Sequence, residues 1–366
     1  MSVSLQHPVD SAGVTAGYLN QLLALSGKPQ CIADVEIETS HTYGDQMVST
    51  AARVLFTVTC NADAPPAMPT RLMLKIARTD DDVMAPFYAN EVAFYRHLRP
   101  DLAIEAPQSL GGHYDPASRH FALLLENLTA RGAHFPNVLE PVPVERIRSL
   151  VDTLASLHAR YWNAAAFSEK LGWVGNALEG DVAFLLNDAA APYIQHEIDS
   201  QAFKHELVGM IGWTGEQLRA GTKAMHRHQM GLHQCLVHGD THLGNTYFLP
   251  DGSSGLLDWQ LMGRGHPMHD VSYIISTGLS IADRRVHEQD LLRYYLDRLA
   301  AVGARGTPSF DDAWTEYRRS MIWNVYVGWL TTPVVNYGWE INVMNHLRLV
   351  TAFQDLDTAR LVRNIM

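Results

Sequence analysis

The chain has 366 residues, 47% of them hydrophobic and 18% charged, which is enough to bury a sizeable core and too apolar for a disordered chain. Its net charge of −11 argues against a nucleic-acid partner, since phosphate binding needs clustered Lys and Arg. Three cysteines, Cys31, Cys60 and Cys235, stand far apart with no CxxC pair, so reduced thiols are expected rather than disulfides or a zinc site.

The first residues carry neither a basic nor an apolar signal region, and no apolar run reaches the roughly 18 residues of a membrane helix. A cytoplasmic protein with no membrane partner is the expectation. Val14 to Leu25 reads as a helix, with Tyr18, Leu22 and Leu25 on one stripe and Gly27 just past the end. Ala52 to Cys60, rich in Val, Phe and Thr, reads as a strand, and Arg71 to Ala77 as a second. Between them the prolines Pro65, Pro66 and Pro69 mark a loop. Asp80, Asp81 and Asp82 read as a solvated turn rather than a metal site. Phe87 to Leu98 reads as a helix and Phe121 to Leu125 as a third strand.

The chain then changes character. Glu145 to Trp162 is a long amphipathic helix, with Ile147, Leu150, Val151, Leu154, Leu157, His158 and Tyr161 along its apolar face. Most of the remainder reads as helix, interrupted by strands and loops between Cys235 and Gln260. The pattern is α+β. A small N-terminal sheet lobe is expected at 1–127, with a leading helix at 14–26, and a larger, mainly helical lobe at 128–366.

Chemistry concentrates in that interruption. Cys235-Leu236-Val237 is a short apolar strand, and His238-Gly239-Asp240 leaves its end, with Gly239 freeing the backbone to turn. Thr246 to Leu249 and Gly255 to Trp259 flank a turn cluster, Pro250 to Ser254, so a hairpin brings Asn245 and Asp258 near Asp240. Phosphoryl transfer needs a carboxylate to orient and deprotonate a hydroxyl, and oxygen ligands for magnesium on the phosphates. Asp240 suits the base, and Asn245 and Asp258 suit the metal. The alternative is that both carboxylates are loop groups satisfied by backbone donors.

A second constellation lies upstream. Lys75 sits mid-strand among apolar neighbours, and Phe87, Glu91, Phe94, Tyr95 and Leu98 share one helical stripe. A buried Glu91 needs a partner, and Lys75 is the natural one. Such a pair can also touch nucleotide phosphates, or can be a plain ion pair. The segment Thr42 to Ser49 has one glycine, Gly44. It reads either as an ordinary hairpin or as a phosphate-covering loop in which Ser49 and nearby N–H groups bind.

Together these residues resemble the aminoglycoside phosphotransferase and choline kinase-like superfamily, including its ecdysteroid kinase-like branch, from roughly Gly44 to Asp270. Lys75 and Glu91 match the phosphate lysine and its helix partner. Leu123-Leu124-Leu125-Glu126-Asn127-Leu128 looks like the hinge that holds adenine, which makes Glu126 and Leu128 cofactor-binding candidates. Leu154 to Ala159 looks like the helix under the active site, and His238-Gly239-Asp240 with Asn245 is similar to the catalytic loop. Asp258-Trp259-Gln260 is similar to the metal-binding segment, and Gly265 and Asp270 fall where the family has a glycine and a supporting Asp. The resemblance implies a bilobal protein-kinase-like fold using ATP and Mg²⁺. It implies an ATP-dependent phosphotransferase acting on a small-molecule hydroxyl. The glycine-poor loop departs from the pattern. Gly239, where protein kinases have Arg, speaks against control by activation-loop phosphorylation.

Two other functions compete. One is a catalytically silent nucleotide-binding protein of the same fold. The other is a dinuclear metallohydrolase, suggested by Asp240-Thr241-His242 but lacking further His and Asp clusters. His158 reads as a core histidine, His238 as a loop brace, and Asp270 as a helix cap that also braces the loop. His242 reads equally as a substrate contact or as packing. Aromatic residues around Trp323 to Tyr326 and Tyr337 to Trp339, and the segment Arg264 to His266, are candidates for an acceptor pocket. Few acids accompany them, so a less polar alcohol is expected.

Overall fold

A computed structural model describes residues 5–41, 51–77 and 82–366. Gly44, Ser49, Asp80 and Asp81 lie outside the described residues, and so do the expectations placed on them.

The chain divides into two units. The first comprises 1–102 and 106–134, and the second 103–105 and 135–366. In the first unit the strands β1 (Ile32–His41), β2 (Ala51–Cys60), β3 (Arg71–Ala77), β4 (Ser109–Asp115) and β5 (His120–Glu126) form an antiparallel sheet in the order β1-β2-β3-β5-β4. Helix α1 (Ala16–Leu25) is capped by Thr15, whose hydroxyl accepts from the Tyr18 N–H. Its Tyr18, Leu19, Leu22 and Leu23 are buried in one cluster with Val54, Phe56, Leu72, Leu74, Ile76 and Leu124. Strand side chains alternate between faces, so this parity sends Arg53, Lys75 and Leu123 to the opposite face. There α2 (Ala85–Ala93) packs, its Tyr88 stacked on Phe121 at 4.4 Å. A π-helical turn, Phe94–Leu98, continues α2 and buries Phe94, Tyr95 and Leu98. The expected helix is therefore present but changes its winding halfway.

Strands β1 and β4 were not expected. Most of β1 is exposed and acidic, so it carries little apolar alternation. In β4 the pair Gly111-Gly112 reads as a turn. A Cβ on Gly111 would lie 2.9 Å from Ser26 Oγ and 3.1 Å from the Leu22 carbonyl oxygen, so the glycine is where α1 crosses the strand.

The second unit is mainly helical. Its helices are α3 (Val144–Arg160), α4 (Asp181–Phe184), α5 (Ala191–Ser200), α6 (Ala202–Ile211), α7 (Gly215–Gln229), α8 (Met268–Gly278), α9 (Ile281–Ala301), α10 (Phe310–Trp323), α11 (Val334–Tyr337), α12 (Trp339–Asp355) and α13 (Thr358–Arg363). The apolar face foreseen for α3, from Ile147 to Tyr161, is buried throughout. Two small antiparallel pairs interrupt the helices. One joins β6 (Cys235–Val237) to β9 (Gly263–Gly265), and the other joins β7 (Thr246–Phe248) to β8 (Ser254–Leu256). All three cysteines are free thiols. Among the described residues no helix is long and apolar enough to cross a membrane.

Candidate active site

In the second unit the loop after β6 is held by one buried carboxylate. Asp270 accepts from the His238 N–H at 2.6 Å and the Gly239 N–H at 2.9 Å. Its own carbonyl oxygen accepts from the Thr241 hydroxyl at 2.8 Å. The ring of His158, at the end of α3, lies 3.2 Å from the same carboxylate and 2.8 Å from the Tyr295 hydroxyl. Burial pushes Asp270 up, but the His158 hydrogen bond and the surrounding imidazoles hold its carboxyl below the usual range. Asp270 therefore braces the loop as expected. It caps nothing, because α8 begins after Pro267 and Asp270 lies inside its first turn. His158 is more than a core histidine, since it holds the residue that holds the loop.

His238 ties the loop to the returning strand. Its Nε2 donates to the Leu257 carbonyl oxygen at 2.7 Å, and its Nδ1 accepts from the Asp240 N–H at 3.2 Å. Gly239 has φ +85°, and a Cβ there would fall 2.1 Å from the Leu261 carbonyl oxygen. Only glycine fits that close approach.

Asp240, Asn245 and Asp258 come together in this unit. The Asn245 amide donates to both the Asp240 carboxylate, at 2.8 Å, and its carbonyl oxygen, at 2.9 Å. The Leu257 N–H donates to the Asn245 carbonyl oxygen at 2.8 Å, which fixes Asp258 beside Asn245. Asp258 itself adopts a left-handed backbone, φ +59°, that side chains other than glycine rarely take. Burial first, and then the charge of Asp258, push Asp240 up to about 8, although a quarter of its side chain still meets solvent.

This donor set fits magnesium. Both donations of Asn245 come from its amide nitrogen, which leaves its side-chain oxygen as the atom a cation would take, and Asp258 supplies a carboxylate. Magnesium needs only one or two protein carboxylates when phosphates and water complete its shell. Among the described residues no group of three or more His, Cys, Asp or Glu could hold a metal, so none supplies a dinuclear hydrolase centre.

Asp240 also borders a cavity of about 130 Å³ within this unit, whose walls include His242, Leu261, Trp323, Trp329, Thr331 and Tyr337. The His242 ring lies 5.8 Å from that of Trp329 and 6.4 Å from that of Tyr337. Its Nδ1 accepts from the Gly244 N–H, so it packs the loop and lines the cavity at once. Burial lowers His242 to about 4, which leaves it neutral at physiological pH. Arg264 and Gly265, also candidates for a pocket, lie in β9, and His266 directly follows it.

In the first unit Lys75 donates to both oxygens of Glu91, at 2.8 and 2.7 Å, and both side chains are buried. The stripe argument placed Glu91 correctly. Sequence reasoning missed Arg53. It stands directly across from Lys75 on the same face, and its Nε is buried with no hydrogen-bond partner. Its signal was parity alone: it faces away from the Val54 and Phe56 core. At the strand end, Glu126 accepts from the Gln108 N–H at 2.8 Å and the Asn127 N–H donates to the Arg71 carbonyl oxygen. Leu128 is buried at the start of the turn that follows.

A family model described as "Phosphotransferase enzyme family" matches residues 58–309. No curated protein sequence matches. Among solved structures, an ethanolamine kinase from Plasmodium vivax is 12% identical, with a TM-score of 0.51 over 88% of this chain and 83% of that chain. An aminoglycoside phosphotransferase from Streptomyces rimosus, in complex with ADP and streptomycin, is 14% identical over 75% of this chain and 90% of that chain, with a TM-score of 0.44. A choline kinase from Streptococcus pneumoniae is 13% identical over 87% and 94%, with a TM-score of 0.44. The first likeness shows the α+β, kinase-like fold.

Proposed function

The chain belongs to the phosphotransferase enzyme family, and from that premise we propose that it transfers the ATP γ-phosphate to the hydroxyl of a small-molecule alcohol. The observation that carries this reading is Asp240, a carboxylate that borders a cavity and is held by the amide of Asn245 beside Asp258.

Asp240 accepts the acceptor's hydroxyl proton. As the alcohol oxygen bonds to the γ-phosphorus, the bond from that phosphorus to the bridging oxygen breaks and ADP leaves with the electron pair. The bond from Asn245 holds the Asp240 carboxylate at the cavity, where it can meet the acceptor's hydroxyl. Asn245 orients Asp240 and, with Asp258, would hold Mg²⁺. Bound there, the metal would neutralise charge on the phosphates. Lys75, fixed by Glu91, and Arg53 beside it supply positive charge for the nucleotide phosphates, and the backbone from Glu126 to Leu128 receives the base.

Purified protein given ATP, Mg²⁺ and an alcohol panel should release ADP in step with phosphorylated alcohol. Asp240→Asn should lower kcat by at least about a hundredfold while nucleotide binding persists. Arg53→Gln should raise the KM for ATP with little change in kcat. Nucleotide binding without turnover on any alcohol would refute the enzyme reading.

A further inference from the structure

The peptide unit that leads into Asp240 is gripped at both of its polar atoms. The Asp240 N–H donates to His238 Nδ1 at 3.2 Å, and the Gly239 carbonyl oxygen accepts from His269 Nε2 at 3.0 Å. We propose that His269 is a positioning residue for phosphoryl transfer, which fixes the peptide plane from which Asp240 is aimed at the cavity. The inference rests on the kinase reading just given.

A glycine makes the grip matter. Gly239 sits at φ +85° and has no side chain to limit rotation of the peptide that follows it. Turning that plane would turn the Cα–Cβ bond of Asp240 with it. The peptide on the other side of Asp240 is held by Asn245, whose amide donates to the Asp240 carbonyl oxygen at 2.9 Å. His238, His269 and Asn245 thus restrain the backbone on both sides of the base. A misplacement of about 1 Å at a reacting group can cost about a hundredfold in rate, so the aim of Asp240 bears directly on kcat.

The contact also fixes the state of the imidazole. A carbonyl oxygen only accepts, so the proton of His269 is on Nε2. Burial lowers the pKa of the ring, which makes it a neutral donor at physiological pH. The same ring lies 4.2 Å from that of Trp323, which borders the cavity. One side chain therefore touches both the loop that carries the base and a wall of the acceptor space. A histidine that only packed against Trp323 could be replaced by any ring of similar size. A positioning histidine needs its N–H.

Two variants separate these roles. His269→Phe keeps a ring for Trp323 and removes the donor. His269→Gln returns an N–H near the place of Nε2 without the ring. ADP release is read for the full chain with ATP and Mg²⁺, with choline, ethanolamine and water in turn as acceptor probes. His269→Phe should lower kcat at least about tenfold while the KM for ATP changes less than about twofold, and His269→Gln should recover most of the loss. The peptide is read separately by NMR, with ¹³C in glycine carbonyls and ¹⁵N in aspartates, so that each Gly–Asp bond gives its own signal. The sequence holds three such bonds, Gly44-Asp45, Gly180-Asp181 and Gly239-Asp240, and Asp240→Asn deletes and so identifies the last. That signal should move in His269→Phe and return towards its parental place in His269→Gln, while the signal of Gly180-Asp181 stays and reports an intact fold. A parental kcat in His269→Phe overturns the inference, as does a His269→Gln no faster than His269→Phe, or a Gly239-Asp240 signal that does not move. Each of those leaves the kinase reading standing. Absence of ADP release from the parent with every probe would refute the kinase reading and this inference with it.

Discussion

Replacing Asp240 with Asn should stabilise the metal-free protein at alkaline pH even as it removes turnover. Asp240 is raised from 3.8 to about 8, first by burial and then by Asp258. Between those values the folded chain keeps a proton that the unfolded chain has released. Stability therefore falls as pH rises across that window, and the loss is complete above about 8. Each pKa unit corresponds to about 1.4 kcal/mol, so the whole displacement sets a ceiling of about 6 kcal/mol. A quarter of the side chain meets solvent, and screening there lowers the expected effect to about 1–3 kcal/mol. Asn carries no charge and can keep the bond from Asn245. Urea denaturation of both proteins with a chelator present, from about pH 4.5 to about pH 9, reads the difference. The two curves should nearly coincide at the acid end, separate as pH rises, and stay a constant distance apart above about 8. A difference independent of pH, or an Asn variant weaker than the parent at pH 9, would refute the electrostatic account of this site.

Other variants probe the supports. Glu91→Ala leaves the Lys75 ammonium buried without its carboxylate and should cost about 3–5 kcal/mol, seen as a fall in the denaturation midpoint. Glu91→Gln should recover part of that loss. Asp270→Asn exchanges a carboxylate holding two loop N–H groups and His158 for a neutral amide. It should cost about 2–4 kcal/mol and lower kcat more than it changes the KM for ATP, because the loop that carries Asp240 loosens. Equal kcat in Asp270→Asn and the parent would separate the brace from catalysis.

What the sequence discloses follows from the range of each signal. Lys75 and Glu91 were legible because a charge on an apolar stripe is a local contradiction that only a partner resolves. The Asp240, Asn245 and Asp258 group was legible because a hairpin of ordinary length fixes their proximity. The grip of Asp270 joins residues about thirty positions apart, and its bond to His158 spans more than a hundred. No periodicity reports such contacts. Arg53 needed the strand register, which the sequence does not print. The cavity needed five separate segments: the turn after α4 with Leu186, the loop after β6, the turn after β8 with Leu261, the end of α10 with the turn beyond it, and α11. Its aromatic residues were visible, but which of them share a wall was not. Trp323, Trp329 and Tyr337 do, whereas Trp339 is half exposed and lies against Phe203.

The same contacts bear on regulation. In protein kinases an Arg before the catalytic Asp answers a phosphate on a distant loop, and here the position is Gly239. No side chain could occupy it, since the Leu261 carbonyl oxygen fills the space a Cβ would need. The loop is fixed from below by Asp270, from the side by the bond of His238 to Leu257, and from above by Leu261. Each of those supports is part of the folded core of the second unit, and none awaits a modification. The geometry of Asp240 is therefore set by contacts within the second unit, and at position 239 there is no arginine through which a phosphate on a distant loop could act.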